Sequence, residues 1–308
     1  MIYDHAMSAN RLTTGSQRPR IGVMFDRDQA PEDLAAFAAG AEEAGADDLW
    51  VVEDLGWAGS ISSATIALAA TDHLRVGIGI APAALRNPAL LAMEVATLAR
   101  AYPGRLVPGL GHGVAEWMRQ VGAEATSKLA LLEETIIGVR ALLSGETVTA
   151  RGREVTIDGV RLVHPPAEVP PLVTGVVRPK SLELSGRVAD GTVLAEGIGP
   201  DQIAAALAHI DRGRAAGDRP GHELIVFTYL HLDDDAARAA AATRDIVASQ
   251  AAWLGAEPDD LFTLIGPAAI VPDRVEALRA AGAGTVVLRP LGAAPLDQVR
   301  RALAALKG

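Results

Sequence analysis

The polar residues best suited to proton transfer follow stretches rich in valine, leucine and isoleucine. Glu53 and Asp54 close the segment DDLWVVED, and His112 lies among the three glycines of GLGHGVAEWM (109–118). Adjacent side chains on a strand point to opposite sides, so one carboxylate can face a ligand while the other braces the fold. A histidine titrates near neutral pH, which suits acid–base work. The alternative for His112 is a backbone contact within a tight turn.

The composition excludes several kinds of chemistry. The 308 residues include no cysteine, which excludes disulfides, thiol nucleophiles, zinc–thiolate sites and iron–sulfur clusters. The formal net charge is −10 and the basic residues are scattered, which argues against a nucleic-acid surface. The N-terminus has no signal-peptide pattern, and no run of about 20 apolar residues occurs. We therefore expect a cytoplasmic protein that binds neither nucleic acid nor membranes.

Strand-like and helix-like segments alternate along the chain. The strand-like segments are short and rich in Val and Ile, and the segments between them are rich in Ala and Leu with helical spacing. The predicted strands are 20–25, 47–54, 74–81, 105–111, 171–176, 190–197, 223–232 and 285–291. We expect a long helix over about 124–143, a hairpin-like insertion over about 145–170, and two or three helices over about 233–265.

Eight strands, each followed by a helix, predict an α/β protein with a single (β/α)8 TIM barrel and an insertion after the fourth helix. The barrel would occupy residues 19–308 and follow a polar N-terminal tail over 1–18. A doubly wound sheet with a cap is the alternative. Its dinucleotide fingerprint is missing, because GLGHGV has Val114 where the third glycine of G-x-G-x-x-G would fall.

In such a barrel the site lies at the carboxyl ends of the strands. The residues at these ends include many glycines and several carboxylates but few large side chains. They are Phe25, Asp26, Glu53, Asp54, Gly79, Ile80, Ala81, Gly111, His112, Gly175, Val176, Val177, Glu196, Gly197, Tyr229, His231 and Arg289. A mouth of this kind admits a large flat ligand against the backbone.

Three longer segments resemble the bacterial luciferase-like family of flavin oxidoreductases. They are WVVED, GIGIAPAALRNPALLAMEVATLARAYPGRLVPGLGHGVAEWMRQVG and RPKSLELSGRVADGTVL. Within this family they are most similar to the branch that uses the deazaflavin coenzyme F420, which includes methylenetetrahydromethanopterin reductase. The Arg-Asn-Pro motif at 86–88 and the P-G-R-L-x-x-G-x-G run at 103–111 are specific to the family. The resemblance implies a (β/α)8 barrel with a flavin or deazaflavin at its mouth.

The resemblance also implies where the cofactor lies. In the family, the third strand ends in a bulge with a non-proline cis peptide that backs the ring, and the matching bond is Gly79–Ile80. The ring would lie on small residues, and its phosphate would lie on the amides at 178–181, where a helix begins. The predicted cofactor-binding residues are Asp54, Gly79, Ile80, Ala81, Gly111, His112, Gly175, Val176, Val177, Lys180, Ser181, Glu196 and Gly197. From the residues alone, an ordinary strand end and a solvated helix start remain the alternatives.

The predicted catalytic residues are His112, Asp54 and Glu53. F420-dependent sugar-phosphate dehydrogenases of the family carry a catalytic histidine at the position of Asp54. They also carry a catalytic glutamate directly after the glycine that matches Gly113, where this chain has valine. Both differences argue against a sugar phosphate as the substrate.

The sequence therefore predicts an enzyme that transfers a hydride between coenzyme F420 and a small organic substrate. One alternative is an FMN-dependent monooxygenase of the same fold, and a second is a flavin-binding homologue without catalytic activity. Trp57 and Trp117 are expected to line the pocket, with core packing as an equal alternative. Family members are often dimers, so a homodimer is expected. No metal site is predicted, because no third ligand accompanies His112 and Glu116.

Overall fold

The computed structural model describes residues 18–217, 219 and 221–307. The predicted N-terminal tail (1–18) lies outside these residues, except for Arg18, whose guanidinium pairs with Asp47 at 2.8 Å. Within the described residues, strands and helices alternate along the chain in the order that the sequence predicts for an α/β protein.

Eight parallel strands of the described chain close into a barrel. They are β1 (Arg20–Met24), β2 (Asp48–Val51), β3 (Arg75–Pro82), β4 (Leu106–Gly111), β7 (Val173–Gly175), β8 (Gly191–Leu194), β9 (Glu223–Leu232) and β11 (Thr285–Pro290). Strand β9 closes the ring, because it pairs with β8 from Gly191↔Glu223 onward and with β11 from Thr285↔Ile225 onward. The predicted TIM barrel is thereby confirmed.

The helices cover the outside of the barrel. They are α1 (Leu34–Ala44), α2 (Ser60–Ala69), α3 (Pro88–Ala101), α4 (Ala115–Gln120), α5 (Lys128–Leu143), α6 (Pro179–Val188), α7 (Pro200–Ala215), α8 (Ala236–Leu254), α9 (Val271–Ala280) and α10 (Pro295–Ala305). The side chains of Asn87, Ser127 and Asp235 cap the helices that they precede. None of the helices in the described residues is long and apolar enough to cross a membrane.

The predicted insertion is a two-stranded antiparallel hairpin, formed by β5 (Val148–Arg151) and β6 (Thr156–Val160). Helix α5 holds this hairpin through Glu134. The Glu134 carboxylate accepts hydrogen bonds of 2.8–2.9 Å from the three backbone N–H groups at 153–155, in the turn of the hairpin. The insertion is therefore attached to the barrel by side-chain-to-backbone bonds.

Two helical regions differ from the prediction. The predicted helix over 124–143 begins too early, because Ser127 caps the first turn of α5 and a separate helix, α4, lies upstream. Of the two or three helices predicted over 233–265, α8 and a short 3-10 helix (Pro258–Asp260) are present, and only the end of the range is a strand instead. Helix α8 ends at Gly255, which has a φ of 73° and stops the helix, and a short strand, β10 (Leu264–Gly266), follows and pairs with β9.

Apolar side chains fill two separate layers. Inside the barrel, Trp50 packs edge-on against Phe227 with ring centroids 5.4 Å apart, together with side chains of the neighbouring strands. Gly77 leaves the space for the indole, since a Cβ there would lie 2.4 Å from the ring. A larger layer lies between the strands and the helices. The side chains of each strand therefore alternate between the barrel interior and the helical layer.

An ion-pair network closes the amino-terminal end of the barrel. Arg75 on β3 donates to Asp48 on β2 at 2.7 Å and to Glu223 on β9, across the barrel, at 2.8 Å. Burial alone would lower the pKa of Arg75, but the two carboxylates outweigh burial and raise it, so Arg75 stays charged. Residues at this end of a TIM barrel usually serve stability, and this network fits that role.

A buried chain of hydroxyl groups joins β7, α6 and β8 to His222. The Ser185 Oγ lies 2.6 Å from the Oγ1 atoms of both Thr174 and Thr192, and the Thr192 Oγ1 lies 2.7 Å from the His222 Nε2. Burial, reinforced by the positive charge of Arg214, lowers the pKa of His222 to about 4. The imidazole is therefore neutral in the folded protein at neutral pH.

We predict that His222→Gln makes the fold less sensitive to acid. Unfolded histidine has a pKa of about 6.5, so below that pH the unfolded chain binds a proton that the folded chain takes up only at about pH 4. The wild type should lose about 2 kcal/mol of stability through this group between pH 7.5 and 5, and the variant should keep it. Urea unfolding at both pH values measures this difference, with the exposed His164→Gln as the control. Equal acid sensitivity of the variant and the wild type would contradict the prediction.

Candidate active site

At the carboxyl-terminal mouth of the barrel, two groups of residues occupy the last interior-facing positions of the strands. Each of these residues lies two or four positions beyond a side chain, or a glycine, that faces the barrel interior. The polar wall consists of Asp26, Asp54, Tyr229 and Arg289. The glycine side consists of Gly79, Gly111 and Gly175. The mouth is therefore charged on one side and has little side-chain volume of its own on the other.

The glycine side begins at a distortion of β3. The pairing of β3 with β4 shifts register between Ile78 and Ala81, and the Gly79–Ile80 peptide is cis. The family resemblance implies both features at this bond, and the structure confirms them. Ala81, a predicted cofactor contact, is buried, and its side chain packs in the helical layer.

Ile80 occupies the space that two of the glycines leave. A Cβ at Gly175 would lie 2.5 Å from the Ile80 Cγ2, and a Cβ at Gly111 would lie 2.7 Å from the Ile80 Cδ1. The expectation that small residues alone form the floor for a flat ligand is therefore wrong at these two positions. The partly exposed Ile80 side chain covers them and forms an apolar floor.

His112 lies beside the start of α6. Its Nε2 is 2.9 Å from the Oγ of Ser181, in the first turn of that helix. Arg178 is the N-cap residue, and no side chain of the described residues caps this turn. Lys180 is exposed at the same turn. A helix start without a cap, next to a hydroxyl, an ammonium group and an imidazole, is suited to binding an anion.

The surroundings of His112 keep its imidazole neutral at pH 7. Burial lowers the pKa of His112, a contact with the Lys128 backbone opposes this shift, and the Lys128 charge adds to it. On its other side the ring borders a small cavity lined by Ala83, Met118 and Lys128. The contact with Ser181 favours a role in holding an anion, and the catalytic role of His112 stays a prediction.

The residues predicted to contact the cofactor in the loops after β7 and β8 do not all face the mouth. Val176 is buried in the helical layer, whereas Val177 is partly exposed. Gly197 has a φ of 89°, and a Cβ there would meet Leu261 at 2.8 Å. Gly197 therefore faces the segment between α8 and β10, which does not favour a direct contact with a ligand in the mouth.

Glu53 and Asp54 point to opposite sides, and Glu53 is the one that faces the helices. The Glu53 carboxylate is 9% exposed, accepts hydrogen bonds from the Ser60 hydroxyl and, at 3.0 Å, from its backbone N–H, and pairs with Arg86. Burial alone would raise the pKa of Glu53, but the hydrogen bonds from Arg86 and Ser60 outweigh burial and lower it. This geometry favours a bracing role for Glu53 over a catalytic one.

Asp54 continues the interior-facing positions of β2 and lies in the polar wall. Its Oδ2 accepts a hydrogen bond from Arg27 at 2.5 Å. The Arg27 guanidinium carbon lies 4.7 Å from the ring centroid of Trp57. Trp57 is 44% exposed and lies 6.3 Å from Trp117, centroid to centroid. These positions favour a rim of the pocket over core packing for the two tryptophans.

Arg289 joins two carboxylates of the mouth. Its Nε donates to the Asp26 Oδ2 at 2.5 Å, and its Nη1 donates to the Glu196 Oε1 at 3.0 Å. Asp26 and Arg289 are predicted to lie at the mouth but are given no catalytic or cofactor-binding role, although each lies two residues beyond an interior side chain, Met24 or Val287. Within the described ranges, no three His, Asp or Glu side chains are arranged to hold a metal ion.

Comparison with known proteins finds related chains. The family described as luciferase-like monooxygenase matches residues 7–306. The 5,10-methylenetetrahydromethanopterin reductase of Methanolobus tindarius is 29% identical over 229 residues, which cover 74% of this chain and 70% of the relative. An F420-dependent glucose-6-phosphate dehydrogenase of Beutenbergia cavernae is 30% identical over 242 residues, which cover 73% of this chain and 72% of the relative. A solved F420-dependent secondary alcohol dehydrogenase, in complex with an F420–acetone adduct, shares the fold with a TM-score of 0.82 at 22% identity, over 95% of this chain and 100% of that chain.

We predict that the two adjacent carboxylates differ sharply in their effect on stability. Glu53→Gln should destabilise the protein by about 3 kcal/mol, because it leaves the partly buried Arg86 guanidinium with only the more exposed and more distant Glu94 as a charge partner. Asp54→Asn should cost at most about 1 kcal/mol, because the pair with Arg27 is more exposed. Chemical denaturation of both variants measures the difference. Equal losses of unfolding free energy would show that the bracing role is wrongly assigned.

Proposed function

The chain belongs to the luciferase-like monooxygenase family, and from this premise we propose that it is an oxidoreductase that uses the deazaflavin coenzyme F420. It would transfer a hydride between the deazaflavin and a small organic substrate. Relatives that are named F420-dependent dehydrogenases support this cofactor over FMN. The second candidate is an FMN-dependent monooxygenase, and the family description supports the monooxygenase activity.

The observation that carries the proposal is the combination of the bulge at Gly79–Ile80 with the uncapped start of α6. Ile80, lying over Gly111 and Gly175, offers an apolar floor for a flat ring system. The α6 start offers an anion site for a phosphate on the same cofactor. The residues present therefore fit a tricyclic cofactor with a phosphate-bearing side chain.

Two groups of residues would hold such a cofactor. Ile80 would support the ring, and the Ser181 hydroxyl, the Lys180 ammonium group and the His112 Nε2 would bind the phosphate. When bound, the deazaflavin supplies the carbon atom that accepts or donates the hydride. The remaining tasks, which are orientation of the substrate and transfer of a proton, fall to side chains of this chain.

Asp54 is the residue that we assign to proton transfer. Its Oδ2 is held by Arg27, whereas its Oδ1 has no hydrogen-bond partner among the described residues and can exchange a proton with a substrate heteroatom. Arg27 is itself oriented by the ring of Trp57. The carboxylate is thus held in one orientation next to β3, the strand that carries the bulge. Trp57 and Trp117 would exclude water from the rim once a substrate covers them.

The predicted homodimer and the predicted cytoplasmic location stay predictions. One feature supports a second copy of the chain as the partner. Leu90 and Met93 on α3 are 57% and 54% exposed, which is unusual for large apolar side chains of one helix face. We expect these two side chains to be buried in the interface of a dimer.

We predict that the protein binds coenzyme F420 saturably, and that Gly175→Ala weakens this binding. The three atoms nearest to a Cβ at Gly175 would all belong to the Ile80 side chain, which would be pushed toward the open mouth, so the affinity should fall about tenfold. Fluorescence titration of the apoprotein with F420, and separately with FMN, measures both affinities.

The control for Gly175→Ala is Gly284→Ala, where the nearest atoms to a new Cβ lie at 3.7 Å and no loss of affinity is expected. Saturable binding of FMN without binding of F420 would favour the monooxygenase. Binding of either cofactor without hydride transfer to any substrate of a broad panel would favour a homologue without catalytic activity. Absence of binding for both cofactors would refute the proposed function.

We also predict that the affinity for the phosphate-bearing cofactor rises as the pH falls. Burial lowers the pKa of His112, so the imidazole is neutral at pH 7.5 and gains its charge only as the solution becomes acidic, and the charge then attracts the phosphate. The dissociation constant of the wild type should fall about fivefold from pH 7.5 to 5.5. In His112→Asn it should change little, and the exposed His164→Asn should behave as the wild type. A pH dependence that survives in His112→Asn would assign it to another group.

A further inference from the structure

Arg289 is held between two buried carboxylates of the mouth. Its side chain is 15% exposed, and those of Asp26 and Glu196 are 11% and 10% exposed. Both carboxylates lie within hydrogen-bond distance of the guanidinium, which also lies 5.4 Å from the ring centroid of Tyr229. The Gln250 Nε2 donates to the Glu196 backbone carbonyl at 2.8 Å and holds the loop that carries this carboxylate. Arg289 is therefore a fixed part of the wall.

The charges of this group do not balance. Burial alone would lower the pKa of Arg289, but the charges of Glu196 and Asp26 outweigh burial and raise it, so the guanidinium stays positive. One guanidinium then faces two carboxylates at a place with little water, where charges interact strongly. A phosphate that approached Arg289 would meet both carboxylates at close range, and juxtaposed like charges are strongly unfavourable.

The basic side chains next to the polar wall are engaged in the same way. Arg27 is engaged by Asp54 at 2.5 Å and by the ring of Trp57. His231, the next interior-facing position of β9, lies with its Nδ1 3.1 Å from the Leu291 carbonyl. Arg289 and Arg27 thus each have a carboxylate partner already, and their three partners, Asp26, Glu196 and Asp54, outnumber them.

An apolar surface borders the charged wall. Trp57 and Trp117 lie 6.3 Å apart at the rim, and Trp57 is 44% exposed. Val114, directly before α4, is 43% exposed. A ligand with an apolar or aromatic part would bury these side chains, and large aromatic side chains contribute strongly to binding when they are covered.

We infer that Asp26 and Glu196 determine the charge of the substrate: by engaging Arg289 they exclude phosphate esters and other anions and select a neutral or cationic compound with an apolar part. This inference rests on the proposed function, since it concerns the substrate of the same mouth. It is compatible with an anionic cofactor, because the anion site at the start of α6 belongs to the glycine side of the mouth and not to the wall.

The test removes the carboxylates that pair with Arg289 and measures whether the mouth then binds an anion. Glu196→Gln and Asp26→Asn/Glu196→Gln keep the side-chain sizes and remove one or two negative charges. The matched control is Glu276→Gln/Asp297→Asn, which removes two exposed carboxylates that pair with arginines on α9 and α10. Inorganic phosphate is titrated into each apoprotein by calorimetry, and glucose 6-phosphate is compared with glucose.

We expect the wild type and the control to bind phosphate equally weakly, through the start of α6, and the Arg289-releasing variants to bind it at least about tenfold more tightly. Adding Arg289→Met to these variants should abolish the gain. A purely structural role of the two carboxylates would destabilise the protein without creating an anion site. Variants that fold, as judged by circular dichroism, but show no gain would overturn the inference.

If the variants do not fold, the wild type decides the question. Saturable binding of glucose 6-phosphate but not of glucose, abolished by Arg289→Met, would overturn the inference, and binding of neither sugar through Arg289 would support it. The F420 titration is evaluated separately. A protein that binds no deazaflavin refutes the proposed function, but the phosphate titrations of the apoprotein still decide whether Arg289 is closed to anions.

Discussion

The volume inside an eight-stranded barrel is small, and a single large side chain in it constrains the strands around it. Trp50 is that side chain, and it is completely buried. Its indole is accommodated because Gly22 and Gly77 carry no side chain, and a Cβ at Gly79 would also lie within 3.1 Å of it. The glycine pattern of β3 therefore follows from packing inside the barrel. The same pattern leads directly into the register shift and the cis peptide at the end of the strand, so the shape of the mouth depends on how the interior below it is filled.

The two sides of the mouth differ because side chains inside a barrel must be either apolar or paired. On the polar wall, Arg289 has two carboxylate partners before any ligand arrives, since an isolated charge with so little water would be very costly. On the glycine side, the volume is filled by Ile80, which belongs to β3 but lies over β4 and β7. An uncharged floor therefore faces a charged wall. This division suits chemistry in which a flat ring is held by shape while protons are handled on the opposite side.

The sequence predicts the barrel, the strand order and the hairpin insertion because these depend on short apolar segments and on turn residues that are visible locally. It also predicts the cis peptide, but only through resemblance to a family, since nothing in the letters GIGI identifies one such bond. The covering of Gly111 and Gly175 by Ile80 could not be predicted, because it depends on where a bulge directs one side chain. The ion pairs of Arg289 join residues more than 90 positions apart, so their distances require the fold, although the two-residue period already indicates which side chains face the interior.

Strand β2 connects the two layers of the protein through a pair of adjacent acids. If this strand shifted by one residue, the Glu53 side chain would point into the mouth and the Asp54 side chain would point toward the helices, because successive side chains face opposite sides. The bonds from Glu53 to Ser60 and Arg86 oppose such a shift, since they join the end of β2 to the first turn of α2 and to the segment that follows β3. The buried brace therefore determines which carboxylate the mouth receives. The contacts of Asp54 with Arg27 are then available at the rim only because its neighbour is held in the helical layer.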